Sequence, residues 1–235
     1  PGFKFDAIYD IITYYKCKIH YRRFTMNGHE CYIIGAGDFF GLREAPDDSD
    51  YVIAADAGFE YCTKNCIIPD LVLGDFDSLG KAPKHPNVLQ LPVEKDDTDT
   101  MFALKLGLEK GYRRFYIYGG LGGKRPDHTI ANMQALLFLL SHGARGWLFG
   151  ENYVWTAIKN SSLRIEGEGD VAVFCFDGKA EGVSIKGLKY ELDDADISSD
   201  FPLGVSNSFA SREAEISAKN GTLLIMYDIK VNEID

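Results

Sequence analysis

At 235 residues the chain is long enough for one large domain or two small ones, and a chain of this size hides roughly 70% or more of its unfolded surface. Its hydrophobic fraction of 46% and charged fraction of 26% exclude a disordered or fibrous protein and suit a soluble globular one. The net charge of −10 argues against a nucleic-acid partner, and no unbroken apolar run nears the ~20 residues that a membrane-spanning helix needs.

Residues 1–25 mix aromatic and basic side chains, as in Tyr14-Tyr15-Lys16 and His20-Tyr21-Arg22-Arg23. They lack the apolar core and cleavage site of a secretory signal and are read either as a natural N-terminal extension or as a segment added to the natural chain. From there to about residue 150, short apolar runs alternate with helical patterns. Strands are predicted at 31–35, 51–55, 71–74, 87–91, 115–118 and 147–150, and helices at 57–65, 98–110 and 128–142. The runs are nearly continuous in apolar character, as expected for strands covered on both faces. Met101, Leu104 and Leu108 share one helical stripe, as do Met133, Leu136, Leu137 and Leu140. Gly111 and Gly143 stand where helices commonly stop. This alternation predicts a mostly parallel, doubly wound α/β sheet domain over 26–155.

After about residue 160 the pattern changes to short strand-like runs divided by glycines, at 171–176, 182–185, 214–218 and 222–227. Asn220-Gly221 between the last two is a hairpin signal. The acidic stretch 191–200 reads as a solvated loop. Residues 156–235 are therefore predicted to form a smaller antiparallel β-sandwich domain. The five cysteines, Cys17, Cys31, Cys62, Cys66 and Cys175, include no CxxC pair. Cys62 and Cys66 are spaced to share a helix face, but a zinc site needs more ligands at matching spacing. An odd, scattered set suits reduced thiols in a cytoplasm.

Polar motifs cluster at predicted strand ends. Gly74-Asp75-Phe76-Asp77-Ser78 follows the third strand. Alternation in an extended chain puts Asp75 and Asp77 on one side, and two like charges held close call for a cation between them. Mg2+ typically takes one or two carboxylates plus substrate phosphates. Asp96-Asp97-Thr98-Asp99 precedes a strong helix: Asp96 or Asp97 can cap it, while Asp96 and Asp99 can join the carboxylate pair around Mg2+. Gly119-Gly120-Leu121-Gly122-Gly123 lets backbone N–H groups approach a phosphate, and Lys124 and Arg125 follow to neutralise it. Asp127-His128 opens the next helix, with Asp127 a candidate cap. Gly35, Gly37 and Gly41 miss the dinucleotide fingerprint by one residue and are read mainly as a tight turn. In open α/β sheets ligands bind at the carboxyl ends of strands, where these motifs fall. His20, His29, His85 and His142 are isolated and read as surface or packing residues.

Taken together, the motifs resemble thiamine pyrophosphokinase, particularly the bacterial form. The resemblance is carried by Ala54-Ala55-Asp56-Ala57-Gly58, by Pro69-Asp70-Leu71-Val72-Leu73-Gly74-Asp75-Phe76-Asp77-Ser78, and by Asp96-Asp97-Thr98-Asp99. It continues through Gly119-Gly120-Leu121-Gly122-Gly123-Lys124-Arg125-Pro126-Asp127-His128 and Gly204-Val205-Ser206-Asn207. It implies transfer of the pyrophosphoryl group of ATP to the hydroxyl of thiamine, giving thiamine diphosphate and AMP, with Mg2+ as cofactor. It implies a homodimer with active sites between subunits. Asp75, Asp77 and Asp99 would hold Mg2+, with Asp96 beside them, and Lys124 and Arg125 would meet the phosphates cradled by Gly119, Gly120 and Gly122. Asp56, Asp127 and His128 would contact substrate, Asp127 alternatively fixing Arg125, and Ser206 and Asn207 would hydrogen-bond the aminopyrimidine. Two other functions use the same residues: a Mg2+-dependent nucleotide pyrophosphohydrolase, with water as acceptor, and a non-catalytic thiamine or nucleotide sensor.

Overall fold

The computed structural model describes residues 29–76, 83–94 and 96–234. The extension at 1–25, Cys17, His20, Asp77 and Ser78 lie outside the described residues. The chain divides into two compact units, one up to His128 and one from Thr129.

The first unit runs β1 (Cys31–Ile34), β2 (Tyr51–Ala55), α1 (Gly58–Lys64), β3 (Leu71–Gly74), β4 (Val88–Gln90), α2 (Asp99–Glu109) and β5 (Arg114–Tyr118). Its strands lie parallel in the order β5-β1-β2-β3-β4. Ile33, Ile34, Ile53, Ala54, Leu73, Phe115 and Ile117 are buried, which accounts for the unbroken apolar runs. Helix α1 packs on β1 and β2, and α2 packs on β1, β2 and β3. Asp70, at the mouth of β3, accepts the Val52 N–H at 2.8 Å and returns its own N–H to the Val52 carbonyl at 2.8 Å, fixing the register of β3 on β2.

Helix α2 is capped by Thr98 rather than by Asp96 or Asp97. Thr98 is extended (φ −69°, ψ 158°) and its Oγ1 accepts the Met101 N–H at 3.1 Å. Only the residue next to the first turn reaches that amide. Asp97, one position too early, instead grips Lys105 Nζ with both oxygens at 2.7 Å. At the other end Gly111 takes φ +95° and Tyr112 N–H reaches back to the Gly107 carbonyl at 3.0 Å, the geometry of a glycine-terminated helix. Cys62 and Cys66 do not share a helix face. Helix α1 stops at Lys64, and Cys66 has turned to φ +56°.

Helix α3 (Pro126–Ser141) leads into the second unit. There follow β6 (Arg145–Phe149), β7 (Tyr153–Lys159), β8 (Ser162–Glu166), β9 (Asp170–Cys175), β10 (Lys179–Lys186), β11 (Leu192–Ser198), β12 (Gly204–Ser208), β13 (Glu213–Ser217), β14 (Thr222–Asp228) and β15 (Asn232–Ile234). Strands β6-β7-β14-β9-β12 form one antiparallel set, and β11-β10-β13-β8-β15 a separate antiparallel sheet. Leu163, Ile165, Val183, Ile185, Ala214 and Ile216 are buried from the five-stranded sheet, at the every-second-residue spacing of a sheet with one core face. The fold is thus the expected one: a parallel sheet with helices, followed by an antiparallel β domain.

Two local expectations are corrected. Asn220-Gly221 does not close a hairpin, because β13 pairs with β10 and β8 while β14 pairs with β7 and β9. The dipeptide carries the chain from one sheet to the other. Gly221 at φ +108° donates its N–H to Asn160 Oδ1 at 2.8 Å, so the same turn chemistry serves a crossover. The acidic stretch 191–200 is not a loop but contains β11, an edge strand paired with β10. Its carboxylates face solvent, and Asp194 and Asp196 meet Lys219 and Lys179 at 2.7 and 3.0 Å. Charged side chains on an edge strand deter pairing with other chains, and they also hide its strand character from composition.

Candidate active site

The strand order makes a switch point in the first unit. From β1 the chain proceeds to β2 on one side, while β5 lies on the other. The crevice at such a reversal, outside the carboxyl ends, is where open α/β sheets bind ligands. Both flanking loops are glycine-rich, and they lace together. Gly35 N–H donates to the Tyr118 carbonyl at 2.7 Å, Gly37 N–H to the Gly119 carbonyl at 2.7 Å, and Asp38 N–H to the Leu121 carbonyl at 2.8 Å. The contact is too close for side chains: a Cβ at Gly35 would stand 2.7 Å from the Gly119 oxygen, and one at Gly37 2.6 Å from the Leu121 oxygen. Gly35 and Gly37 are therefore needed for the approach of two backbones, while a Cβ on Gly41 would meet nothing within 4 Å. Gly119, Gly122 and Gly123 all take positive φ, which keeps the second loop in a tight turn.

Beside this crevice, β2 and β3 end together. Asp56 sits at φ +49° with its N–H on the Leu73 carbonyl at 2.7 Å. Gly74 lies so close that a Cβ on it would be 3.0 Å from Asp56 Cα. Asp56 and Asp75 thus leave adjacent strand ends. The extended alternation expected through Asp75 and Asp77 breaks between them, since Phe76 takes φ +58°. A bulky residue rarely adopts that conformation, and the burial of the Phe76 ring, 2% exposed, holds it there.

Asp99 lies in the first turn of α2, the helix that packs on β3, while Asp96 is exposed ahead of the Thr98 cap. Among the described residues no three acidic, His or Cys side chains are grouped to hold a metal ion, and Asp77 is not among those described. The donor chemistry nevertheless fits a hard cation: Asp56, Asp75, Asp96 and Asp99 offer carboxylate oxygens only.

At the start of α3, Pro126 is the first helical residue, so Asp127 lies inside the helix instead of capping it. Its carboxylate faces back onto Arg125, with Nη2 to Oδ2 at 2.7 Å and Nε to Oδ1 at 3.0 Å. The Arg125 guanidinium holds the Asp127 carboxyl down to about 2, and Asp127 in turn raises Arg125. Both side chains are exposed, as is Lys124, and His128 is half-buried behind them. Of the predicted residues, Asp56 and Asp75 directly follow β2 and β3, Gly119, Gly120, Gly122, Lys124 and Arg125 lie in the loop after β5, and Asp127 and His128 lie in the first turn of α3.

The second unit holds the other two. Ser206 is exposed at φ +58°, inside a register shift between Gly204 and Asn207 where β12 pairs with β9. Asn207 is 3% exposed and copies a backbone link: its Oδ1 accepts the Tyr190 N–H at 2.9 Å and its Nδ2 donates to the Tyr190 carbonyl at 2.7 Å. Its amide holds the neighbouring loop against β12 and leaves Ser206 presented on the bulge. Asp38, given no role by the sequence motifs, also bridges the crevice. Asp38 accepts the Gly123 N–H at 3.0 Å, a link across 85 positions that no local pattern announces.

Comparison with known proteins bears on this geometry. Residues 42–148 match the family model for the thiamin pyrophosphokinase catalytic domain, and residues 162–223 match that for the thiamin pyrophosphokinase vitamin B1 binding domain. The chain is 26% identical over 189 residues to thiamine pyrophosphokinase of Bacillus subtilis (strain 168), covering 77% of this chain and 88% of the relative. The crystal structure of thiamine pyrophosphokinase from Bacillus subtilis superposes with a TM-score of 0.74 at 25% identity, over 85% of this chain and 98% of that one. Yeast thiamin pyrophosphokinase, at 14% identity and a TM-score of 0.67 over 87% of this chain and 88% of that one, shares the fold.

Proposed function

The chain belongs to the thiamine pyrophosphokinase family of enzymes, and from that premise we propose that it transfers the pyrophosphoryl group of ATP to the hydroxyl of thiamine in a Mg2+-dependent reaction that releases AMP. The observation that carries the reading is the crevice at the switch point. Two interlocked glycine loops follow β1 and β5, Lys124 and Arg125 come next in the chain, and Asp56 and Asp75 leave β2 and β3 at the same carboxyl edge, which supports the reading.

Pyrophosphoryl transfer depends on placing the acceptor alcohol in line with the β-phosphorus and on neutralising charge. In this reading Gly119, Gly120 and Gly122 let the phosphates approach the loop. Lys124 and Arg125 offset the charge that shifts onto the leaving AMP. Asp127 holds the Arg125 guanidinium in one orientation, and His128 lines the same helix start. Asp75, Asp77 and Asp99 are the residues that would hold Mg2+, with Asp96 as a further ligand or an orienting neighbour. When bound there, the ion supplies charge neutralisation at the phosphate oxygens. Asp56 orients nucleotide or thiamine, and one carboxylate of the group takes the alcohol proton. Ser206 and Asn207 serve the aminopyrimidine, Ser206 directly and Asn207 by fixing the bulge that presents it.

The functional division proposed is 26–155 for nucleotide and metal and 156–235 for thiamine. Separate family matches over 42–148 and 162–223 support a division into two functional parts. We further propose a cytoplasmic homodimer with active sites between subunits. Free thiols at Cys31, Cys62, Cys66 and Cys175 suit a reducing compartment, and no helix among the described residues is long and apolar enough to cross a membrane.

The test is an AMP assay with single omissions. AMP should form only when thiamine, ATP and Mg2+ are all present. AMP released without thiamine would identify a pyrophosphohydrolase, and tight binding of thiamine or ATP without turnover would identify a sensor.

A further inference from the structure

Asp38 has no place in the roles assigned above, yet it is held more firmly than a turn residue needs. Its own N–H donates to the Leu121 carbonyl at 2.8 Å, and the preceding Gly37 N–H donates to Gly119 at 2.7 Å. The next residue, Phe39, stacks on Tyr61 with centroids 5.2 Å apart and meets Tyr118 edge-on at 6.3 Å. Backbone on one side and aromatic packing on the other thus fix where the Asp38 side chain begins. The carboxylate then reaches across the crevice and accepts the Gly123 N–H at 3.0 Å. The loop wraps around it so closely that a Cβ on Gly122 would lie 2.1 Å from Asp38 Oδ2.

We propose that Asp38 is the positioning residue of the glycine loop: its carboxylate clasps the Gly123 amide, holds the left-handed Gly122-Gly123 turn closed, and so delivers Lys124 and Arg125 to the phosphates of a nucleotide. The proposal rests on the phosphate-cradle reading of residues 119–125. Gly122 and Gly123, at φ +66° and +73°, have no side chains and a wide choice of conformations. Without a partner for the Gly123 amide the turn opens, and the two cations that follow it lose a fixed origin. The clasp uses hydrogen-bond acceptance, and a neutral amide oxygen supplies that equally. The negative charge of Asp38 is not needed, since charge beside phosphates is unfavourable.

Two substitutions and three readouts test this. Hydrogen exchange at Gly123 should quicken by about tenfold or more in Asp38→Ala and remain near wild type in Asp38→Asn. ATP affinity by calorimetry should weaken about tenfold in Asp38→Ala, the scale of one hydrogen bond to a charged group, and recover in Asp38→Asn. The thermal midpoint should be the same in all three proteins, because the clasp is exposed. Unchanged Gly123 exchange in Asp38→Ala overturns the clasp. Changed exchange with unchanged ATP affinity overturns its positioning role. Tighter ATP binding in both variants shows a carboxylate that competes with phosphate, which also overturns it. Wild-type protein that binds no ATP overturns the cradle reading itself, while Gly123 exchange still judges the clasp separately.

Discussion

Arg125 and Asp127 form a two-point ion pair across a single intervening proline, with the guanidinium 2.7 and 3.0 Å from the carboxylate. The proline fixes the first helical residue, and the pair then points both side chains out of the start of α3. In the proposed function, the cation assigned to the phosphates is thereby held still by a carboxylate beside it.

Loss of that partner should affect catalysis and not folding. Asp127→Ala should lower kcat/KM for ATP by about tenfold, as expected when an oriented cation becomes mobile. The thermal midpoint should not move, since the pair is exposed. Because the Asp127 carboxyl is held down to about 2, its ionisation should leave no inflection in the activity profile between about pH 5 and 9. Steady-state kinetics across pH check both statements.

Asp75 lies at the end of β3 beside Asp56, where a carboxylate is exchanged for an amide without change of shape. Asp75→Asn should reduce kcat by about a hundredfold or more while leaving the circular dichroism spectrum and melting curve intact. Near-normal turnover in this variant would remove Asp75 from the proposed metal site.

Glycine positions should divide by what surrounds them. A Cβ at Gly58 would stand 1.9 Å from the Ile34 carbonyl oxygen, in the contact between α1 and β1. Gly58→Ala should therefore cost about 3 kcal/mol or more, as overpacking of a buried contact does. Gly111, at φ +95°, has open space around it, so Gly111→Ala should cost only about 1 kcal/mol of backbone strain. Urea unfolding measures both.

Glu30 gives the first unit a pH dependence. Burial pushes its carboxyl from 4.5 up to about 7, helped by Asp50 and opposed by Arg114, whose Nε lies 3.2 Å from Oε1. Arg114 also reaches the Tyr116 hydroxyl at 3.2 Å. The folded state therefore holds a proton that the unfolded chain releases at lower pH. This contribution is complete below pH 4.5 and is lost as pH rises through about 7, worth about 1–3 kcal/mol. Unfolding free energy should fall over that window, and Glu30→Gln should flatten the fall.

The parallel sheet was legible because its strands are buried on both faces: the runs at 51–55 and 71–74 coincide with β2 and β3. The β domain was less so. Strand β11 carries one buried side chain, Ile197, among acidic residues, so its identity rests on backbone pairing that composition does not encode. Asn220-Gly221 encodes a turn but not which sheet receives the next strand. At the site, glycines and carboxylates announced themselves by spacing. The lacing of residues 35–38 onto 118–123, the left-handed Phe76 and the Asp38 clasp arise from distant contacts and were invisible in any local window.

The central claim is transfer of an intact pyrophosphoryl group, and the fate of an isotope at the β-phosphorus tests it most directly. With β-labelled ATP, thiamine and Mg2+, the label should appear in thiamine diphosphate and the released AMP should carry none. Label recovered in ADP, or in free pyrophosphate without thiamine diphosphate, would contradict it.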